Sequence, residues 1–273
     1  MLVAIDVDGT LVGEALTISD VDATAIRTAV RCGDVVCLAS GRLLAASRPY
    51  ADQLGLDGPI IVLQGAVGYD LRSGSRLFFT PVEVDVALRA YDSLRARGFH
   101  LQLYYGDHLY LDAMNRWAHY YIGLSRVEPI MVADLRALLV QTPPPEPGPV
   151  KVLAIAEPAK VSATAPQLRA ELGKRANVVT SLPPFLEVTD PAANKGEALR
   201  RVAAHFGISM ADTAAVGDAD NDVPMLLAAA RSFAVENGTP AAKAAARRMV
   251  PALGRGVAAA LRILEEERAR EPA

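Results

Sequence analysis

Four short apolar runs in this chain each stop abruptly on a polar residue or a glycine, and this pattern restricts the fold more than any other feature. LVAI meets Asp6, VVCLA meets Ser40, PIIVL meets Gln64 and Gly65, and TAAV meets Gly217 and Asp218. A strand with one wet face alternates apolar and polar residues, whereas a run that is apolar on both faces suits a parallel strand covered on either side. The intervening segments read as helices. Ser19 with Asp22 resembles a capping box, Ile18 can staple it, and Gly33 closes the stretch. Lys195 to Phe206 ends at Gly207, and the segment from about Asn221 to Ala230 is rich in Leu and Ala, with Pro224 placed for a first turn. Alternating strands and helices predict an α/β fold with a parallel sheet.

In an open sheet of this kind ligands bind beyond the carboxyl ends of the strands. Asp6, Ser40 and Asp218 each end their own run, so they are predicted to meet on one rim. Gly9 breaks strand geometry at once, which puts Asp8 in a turn from which it can reach the same rim.

At 273 residues the chain has room for two domains, at about 100–200 residues each. From roughly Val82 to Pro183 the strand-end carboxylates disappear while helix-like and strand-like segments continue. The expected organisation is a core of residues 1–81 and 184–273 with residues 82–183 inserted. Within the insert, a helix closes at Gly98, HLQLYYGDHLYLDA reads as a hairpin turning at Gly106 and Asp107, and VKVLAIAEP and ANVVTS read as strands. TPPPEPGP is a stiff loop, because proline fixes φ and removes donors. Tyr104, Tyr105, Trp117, Tyr120 and Tyr121 crowd this insert, either as a substrate-facing patch or as its own core, and the core reading is the simpler one.

Composition excludes several classes of partner. Apolar residues make up 51% and charged residues 22%, enough for an ordinary core. With 28 Lys plus Arg against 31 Asp plus Glu and no basic run, a nucleic-acid partner is not expected. The opening MLVAIDVDG lacks a basic leader, and no apolar run approaches the roughly 18 residues of a membrane span. No membrane association and a cytoplasmic location are therefore expected. Cys32 and Cys37 have no His or further Cys at ligand spacing, so two free buried thiols and a reducing compartment are expected.

DVDGTL, LASGR, NKGEAL and GDADND follow one another in that order. Together they resemble the motif set of haloacid dehalogenase-like hydrolases, and the long gap between the second and third resembles the Cof-type subfamily, which inserts an α/β cap there. The resemblance implies a Rossmann-like catalytic core with a specificity-determining cap. It also implies a Mg²⁺-dependent phosphatase for small phosphorylated metabolites such as sugar phosphates, as a monomer or homodimer. Gln64 departs from the Asn usual in the family's NGA segment.

The chemistry follows from charge. A phosphate monoester is a dianion that repels a carboxylate nucleophile, and Asp6, Asp8, Asp218 and Asp222 repel one another. One Mg²⁺ answers both difficulties, since it takes oxygen ligands from one or two carboxylates and a substrate phosphate. The resemblance implies the carboxylates of Asp6 and Asp218 and the backbone carbonyl of Asp8 as metal ligands, with Asn221 and Asp222 in an outer layer that orients them. Asp6 is then the candidate nucleophile and Asp8 the candidate general acid and base. Ser40 and the Gly41 N–H are placed to bind the transferring phosphoryl group, and Lys195 to supply positive charge against it. Ser40 is also a possible N-cap for a helix starting near Leu43. Arg42 either clamps a substrate group or pairs with a nearby acid. Two rival activities use similar residues. One is a phosphosugar mutase, which would return an isomerised ester, and the other is a phospho-acceptor signalling module, which would hold a long-lived phosphoryl group.

Overall fold

The computed structural model describes residues 1–142, 144 and 146–270. Its strands run, in chain order, β1 Leu2–Asp6, β2 Val35–Ala39, β3 Pro59–Val62, β4 Val67–Asp70, β5 Ser75–Phe79, β6 His100–Tyr105, β7 His108–Leu111, β8 Ile130–Met131, β9 Lys151–Ile155, β10 Asn177–Val179, β11 Phe185–Thr189, β12 Thr213–Gly217, β13 Arg231–Val235 and β14 Arg248–Val250. They form an eight-stranded sheet, β14-β13-β12-β1-β2-β3-β4-β5, and a six-stranded sheet, β10-β11-β9-β6-β7-β8. The chain divides into two compact units, Met1–Arg42 with Ser47–Phe79 and Asn194–Ala273, and Leu43–Ala46 with Thr80–Ala193.

The first unit is built on the apolar runs. β1, β2, β3, β12, β13 and β14 are parallel, and every residue of β1 and β12 is buried, as strands covered on both faces require. Order reverses beside β1, since the chain proceeds to β2 and β3 on one side and later fills the other with β12, β13 and β14. Ile5 is in register with Val216 and Asp6 with Ala39, so Asp6, Asp218 and Ser40 leave the sheet at neighbouring points of this switch. β4 and β5 extend the sheet antiparallel, and the polar start of β5 blunts its edge.

Helix Asp20–Arg31 begins at Ser19, whose Oγ accepts from the Asp22 N–H at 3.1 Å. The buried Asp22 carboxylate also accepts from the Ala258 N–H at 2.8 Å, so this acid fastens helix Gly256–Arg270 as well. The helix expected over Asn221 to Ala230 is shorter. Asp220–Asp222 forms a 3₁₀ turn, because the Asp222 side chain folds back onto N–H groups upstream, and only Val223–Ala228 is α-helical.

In the second unit the sheet is antiparallel apart from the β7–β8 pair. Leu101, Leu103 and Tyr105 of β6, with Val152, Ala154, Leu186 and Val188, pack against Val86, Ala90, Leu94, Val161 and Leu168 of the helices. The alternate residues point the other way. Among them Lys151 pairs with Glu187 at 3.2 Å and lies 4.6 Å from the Tyr104 ring centre, and the Tyr104 hydroxyl bonds to that of Tyr121. The aromatic residues are therefore divided. Tyr105 belongs to the helix-facing core, Tyr104 is buried on the opposite face, Trp117 is half-buried and Tyr120 is exposed. His108 and His119 are also exposed.

Two expectations need correction. The sequence pattern returns the chain to the core at residue 184, but β11 pairs with both β9 and β10, so residues 184–193 stay with the second unit. A strand such as FLEVT does not announce its partners, and only pairing assigns it. Cys37 is buried, its thiol pushed up to about 12 by that burial, but Cys32 is exposed because it caps the solvent end of helix Asp20–Arg31. Pro143 and Pro145 of the proline-rich loop lie outside the described residues. Among the described residues no helix is long and apolar enough to cross a membrane.

Candidate active site

The rim of the eight-stranded sheet carries the catalytic and metal-ligand candidates Asp6, Asp8, Ser40, Lys195 and Asp218. Asp6 ends β1 and is 4% exposed. Lys195 opens helix Lys195–His205, which Asn194 caps by accepting from the Glu197 N–H at 2.9 Å. Its side chain is fully buried, an uncommon state for lysine that demands partners. They are Asp6 Oδ1 at 2.5 Å and Asp222 Oδ1 at 2.6 Å. The other oxygen of Asp222 accepts from the N–H groups of Asp218 and Ala219 at 2.9 and 3.0 Å. Asp222 is thus fully engaged in holding Lys195 and the turn that carries Asp218.

The electrostatics reflect this crowding. Burial, together with Asp222 and Asp218, pushes Asp6 well above the ordinary carboxylate range against the opposing pull of Lys195. Burial works to lower Lys195, but Asp6 and Asp222 outweigh it and hold the ammonium above its ordinary value. Asp218 is raised chiefly by burial, with the Thr10 hydrogen bond opposing.

Asp8 occupies the turn after β1 and is exposed. Arg42 grips it with two bonds, Nε to Oδ2 at 2.8 Å and Nη2 to Oδ1 at 2.5 Å, so in this structure the arginine pairs with an acid. Ser40 is fully buried beyond β2, and its Oγ accepts from the Arg42 N–H at 3.0 Å. This local turn leaves the hydroxyl hydrogen to donate. Helix Leu44–Leu54 starts past this loop, and the bond from Ser40 goes to Arg42 rather than into the helix.

Several residues that support the site were not singled out from the sequence. Thr10 donates to Asp218 Oδ1 at 2.8 Å, and Asn237 Nδ2 donates to the Gly9 carbonyl at 2.8 Å. Gly9 sits at φ +91, and a Cβ there would stand 2.3 Å from Asp218 Oδ2, so only glycine admits the carboxylate. Asn221 turns its amide to Gln64 Oε1 at 2.8 Å. A threonine two residues beyond the second acid is a hydroxyl in reach of the rim, and it was the one legible signal among these.

The donors suit a hard divalent cation. Oxygens of Asp6, Asp218 and Asp222 lie within 4.8 Å of one another, and Asp6 Oδ2 is buried without a hydrogen-bond partner. Since Asp222 is already committed to Lys195 and two backbone N–H groups, the oxygens left to face a cation are those of Asp6 and Asp218. An all-oxygen set with surplus negative charge fits Mg²⁺ and not a soft metal.

A buried aspartate and lysine thus stand at the switch of the parallel strands, with a second acid on the adjoining turn. The family model for haloacid dehalogenase-like hydrolases matches residues 3–261, and the chain belongs to that family. The 5-amino-6-(5-phospho-D-ribitylamino)uracil phosphatase of Bacillus subtilis is 28% identical over 264 residues, covering 90% of each chain. The pyridoxal phosphate phosphatase of Escherichia coli is 27% identical, covering 90% of this chain and 91% of that one. A crystal structure from Thermotoga maritima superposes with a TM-score of 0.86 at 25% identity over 96% of each chain. A haloacid dehalogenase-like hydrolase from Bacteroides thetaiotaomicron gives 0.84 at 23% identity, over 96% of this chain and 98% of that one, which speaks for the fold.

Proposed function

We propose that this enzyme hydrolyses phosphate monoesters of small metabolites, sugar phosphates among them, by Mg²⁺-dependent transfer of the phosphoryl group to Asp6 and then to water. The observation that carries this reading is the Asp6 carboxylate itself, with one oxygen on the buried Lys195 and the other buried and unpartnered beside Asp218. Relatives named as phosphatases of pyridoxal phosphate and of a phosphorylated ribitylaminouracil support the substrate class.

In the first step an Asp6 oxygen attacks phosphorus, the P–O bond to the leaving group breaks, and Asp8 gives its proton to the departing alkoxide. In the second, water attacks the phosphorus of the acyl phosphate and gives a proton to Asp8, which releases inorganic phosphate and restores the Asp6 carboxylate. Lys195 balances charge on Asp6 throughout, and the Ser40 hydroxyl donates to the phosphoryl oxygens with the Gly41 N–H. Arg42 holds the Asp8 carboxylate in place on its turn. Asp6, Asp218 and the Asp8 carbonyl would hold Mg²⁺, which would supply the charge neutralisation a dianion needs to approach a carboxylate. The inserted unit, residues 80–193, discriminates among leaving groups.

The test is release of inorganic phosphate across a panel of phosphorylated metabolites, with and without Mg²⁺, using Asp6→Asn as control. Metal-dependent release that the control abolishes supports the reading. An isomerised sugar phosphate without free phosphate would indicate a mutase instead.

A further inference from the structure

A turn between β3 and β4 does more than connect strands. Leu63, Gln64 and Gly65 have φ of +52, +61 and +95, three successive left-handed residues of which two carry side chains. Such conformations are costly for L-residues and persist only where the surroundings over-determine them. Here the surroundings come from three separate motif segments. The Leu63 N–H donates to the Arg42 carbonyl at 2.9 Å and the Gln64 N–H to the Ser40 carbonyl at 3.1 Å, so the turn grips both ends of the Ser40–Arg42 loop. Gly65 lies flat on the start of helix Lys195–His205, where a Cβ would stand 2.4 Å from the Asn194 carbonyl and 2.7 Å from the Lys195 nitrogen. The Gln64 side chain passes over Gly41, whose Cβ would meet its Nε2 at 2.4 Å. It ends on Asn221, accepting from Nδ2 at 2.8 Å across 157 residues of chain.

We infer that Gln64 is a positioning residue for phosphoryl transfer, coupling the Ser40–Arg42 loop to the Asn221 turn through its side chain while its backbone sets that loop against Lys195. The inference rests on the reading of Ser40 and Lys195 as phosphoryl-binding groups. Ser40 follows strand β2 and Lys195 opens a helix, and nothing in the parallel pairing fixes the height of the Ser40 loop against that helix start. The left-handed turn does so, because it touches both within three residues. The amide of Gln64 adds a third segment, whose Asp222 in turn grips Lys195.

The experiment is a double-mutant cycle on the full chain, with Gln64→Gly, Asn221→Ala and the pair. Glycine accepts φ near +61 without strain, so Gln64→Gly removes the side chain and leaves the turn intact. Two readouts are taken, kcat for p-nitrophenyl phosphate with Mg²⁺ and the Kd of inorganic phosphate by calorimetry. Each single variant is expected to lower kcat and weaken phosphate binding about threefold to tenfold, the range of one neutral hydrogen bond, with Tm unchanged or raised for Gln64→Gly. The pair should lose no more than the worse single variant, which is the signature of coupling. Wild-type kcat and Kd in Gln64→Gly, or losses that multiply in the pair, would overturn the inference. So would a loss that merely follows a fall in Tm. If the wild-type enzyme binds phosphate yet fails to turn over the ester, the phosphatase reading fails while the binding cycle still decides the role of Gln64.

Discussion

The Lys195 ammonium donates to Asp6 Oδ1 at 2.5 Å, joining residues 189 apart in the chain, and neither side chain is open to solvent. Removing the cation from such a pair leaves an uncompensated buried charge. Lys195→Met should therefore lower the unfolding free energy by about 3–5 kcal/mol. It should also cut kcat by roughly 10²–10³-fold, as loss of an electrostatic stabiliser does. Adding Asp222→Asn removes one of the two stranded carboxylates, so the double variant should be more stable than Lys195→Met alone. Urea unfolding and steady-state kinetics check both points, and equal stability of the two variants would contradict the charge argument.

Arg42 and Asp8 behave differently because their pair is partly exposed. Exposed pairs contribute little to stability, so Arg42→Ala should leave Tm nearly unchanged. Its effect falls on catalysis, since a bidentate grip holds the candidate acid on a turn. A loss of about tenfold or more in kcat is expected, and Arg42→Lys, which offers a point charge without the planar fork, should recover only part of it. Unaltered kcat in Arg42→Ala would remove the positioning role.

Asp218 should show the opposing demands of stability and function. Burial raises its carboxyl and that of Asp6, so without metal the two acids strain the fold. Asp218→Asn is expected to raise Tm in the presence of EDTA and to abolish the further rise expected of the wild type with Mg²⁺. At a Mg²⁺ concentration of 100 Kd that wild-type gain amounts to about 2.7 kcal/mol. Differential scanning calorimetry with EDTA and with Mg²⁺ distinguishes the outcomes, and an Asp218→Asn variant still stabilised by Mg²⁺ would place the metal elsewhere.

The second unit supplies a pH prediction independent of catalysis. His100 is buried, and that burial lowers its pKa from 6.5 to about 4 against the opposing influence of Asp112. Its Nδ1 lies 3.1 Å from Asn115 Nδ2, which therefore donates to a neutral ring. The unfolded chain binds this proton below about pH 6.5 and the folded chain does not. The stability contribution is thus complete above pH 6.5 and is lost progressively as pH falls towards 4, by up to about 3 kcal/mol. A His100→Asn variant should lose less stability over that window, and parallel pH profiles for the two proteins would refute the assignment.

Much of the site is legible in the sequence because strand ends are legible. An apolar run that stops on Asp6, Ser40 or Asp218 marks a carboxyl end, and parallel pairing collects such ends on one rim. Lys195 is visible as a helix start, but its complete burial is not, because burial depends on what Asp6 and Asp222 bring to it from elsewhere in the chain. The same holds for Asn237 and the reach of Gln64 to Asn221, contacts between segments that no local pattern relates. Cys32 misleads for a related reason. The lack of a partner at ligand spacing says only that the thiol is free, and at the C-terminal cap of helix Asp20–Arg31 it faces solvent. The boundary at residue 184 fails because β11 carries a strand pattern that either sheet could accept.

If Asp6 takes up the phosphoryl group, the most direct measurement is to catch it doing so. An Asp8→Asn variant cannot activate water for the second step, while p-nitrophenolate leaves without needing a proton, so this pairing should accumulate the intermediate. After acid quench and peptide mass spectrometry, the peptide containing Asp6 should gain one phosphoryl group when Mg²⁺ is present, and Asp6→Asn should not. Burst kinetics with the phosphoryl group on any other residue, or full turnover by Asp6→Asn, would contradict the mechanism.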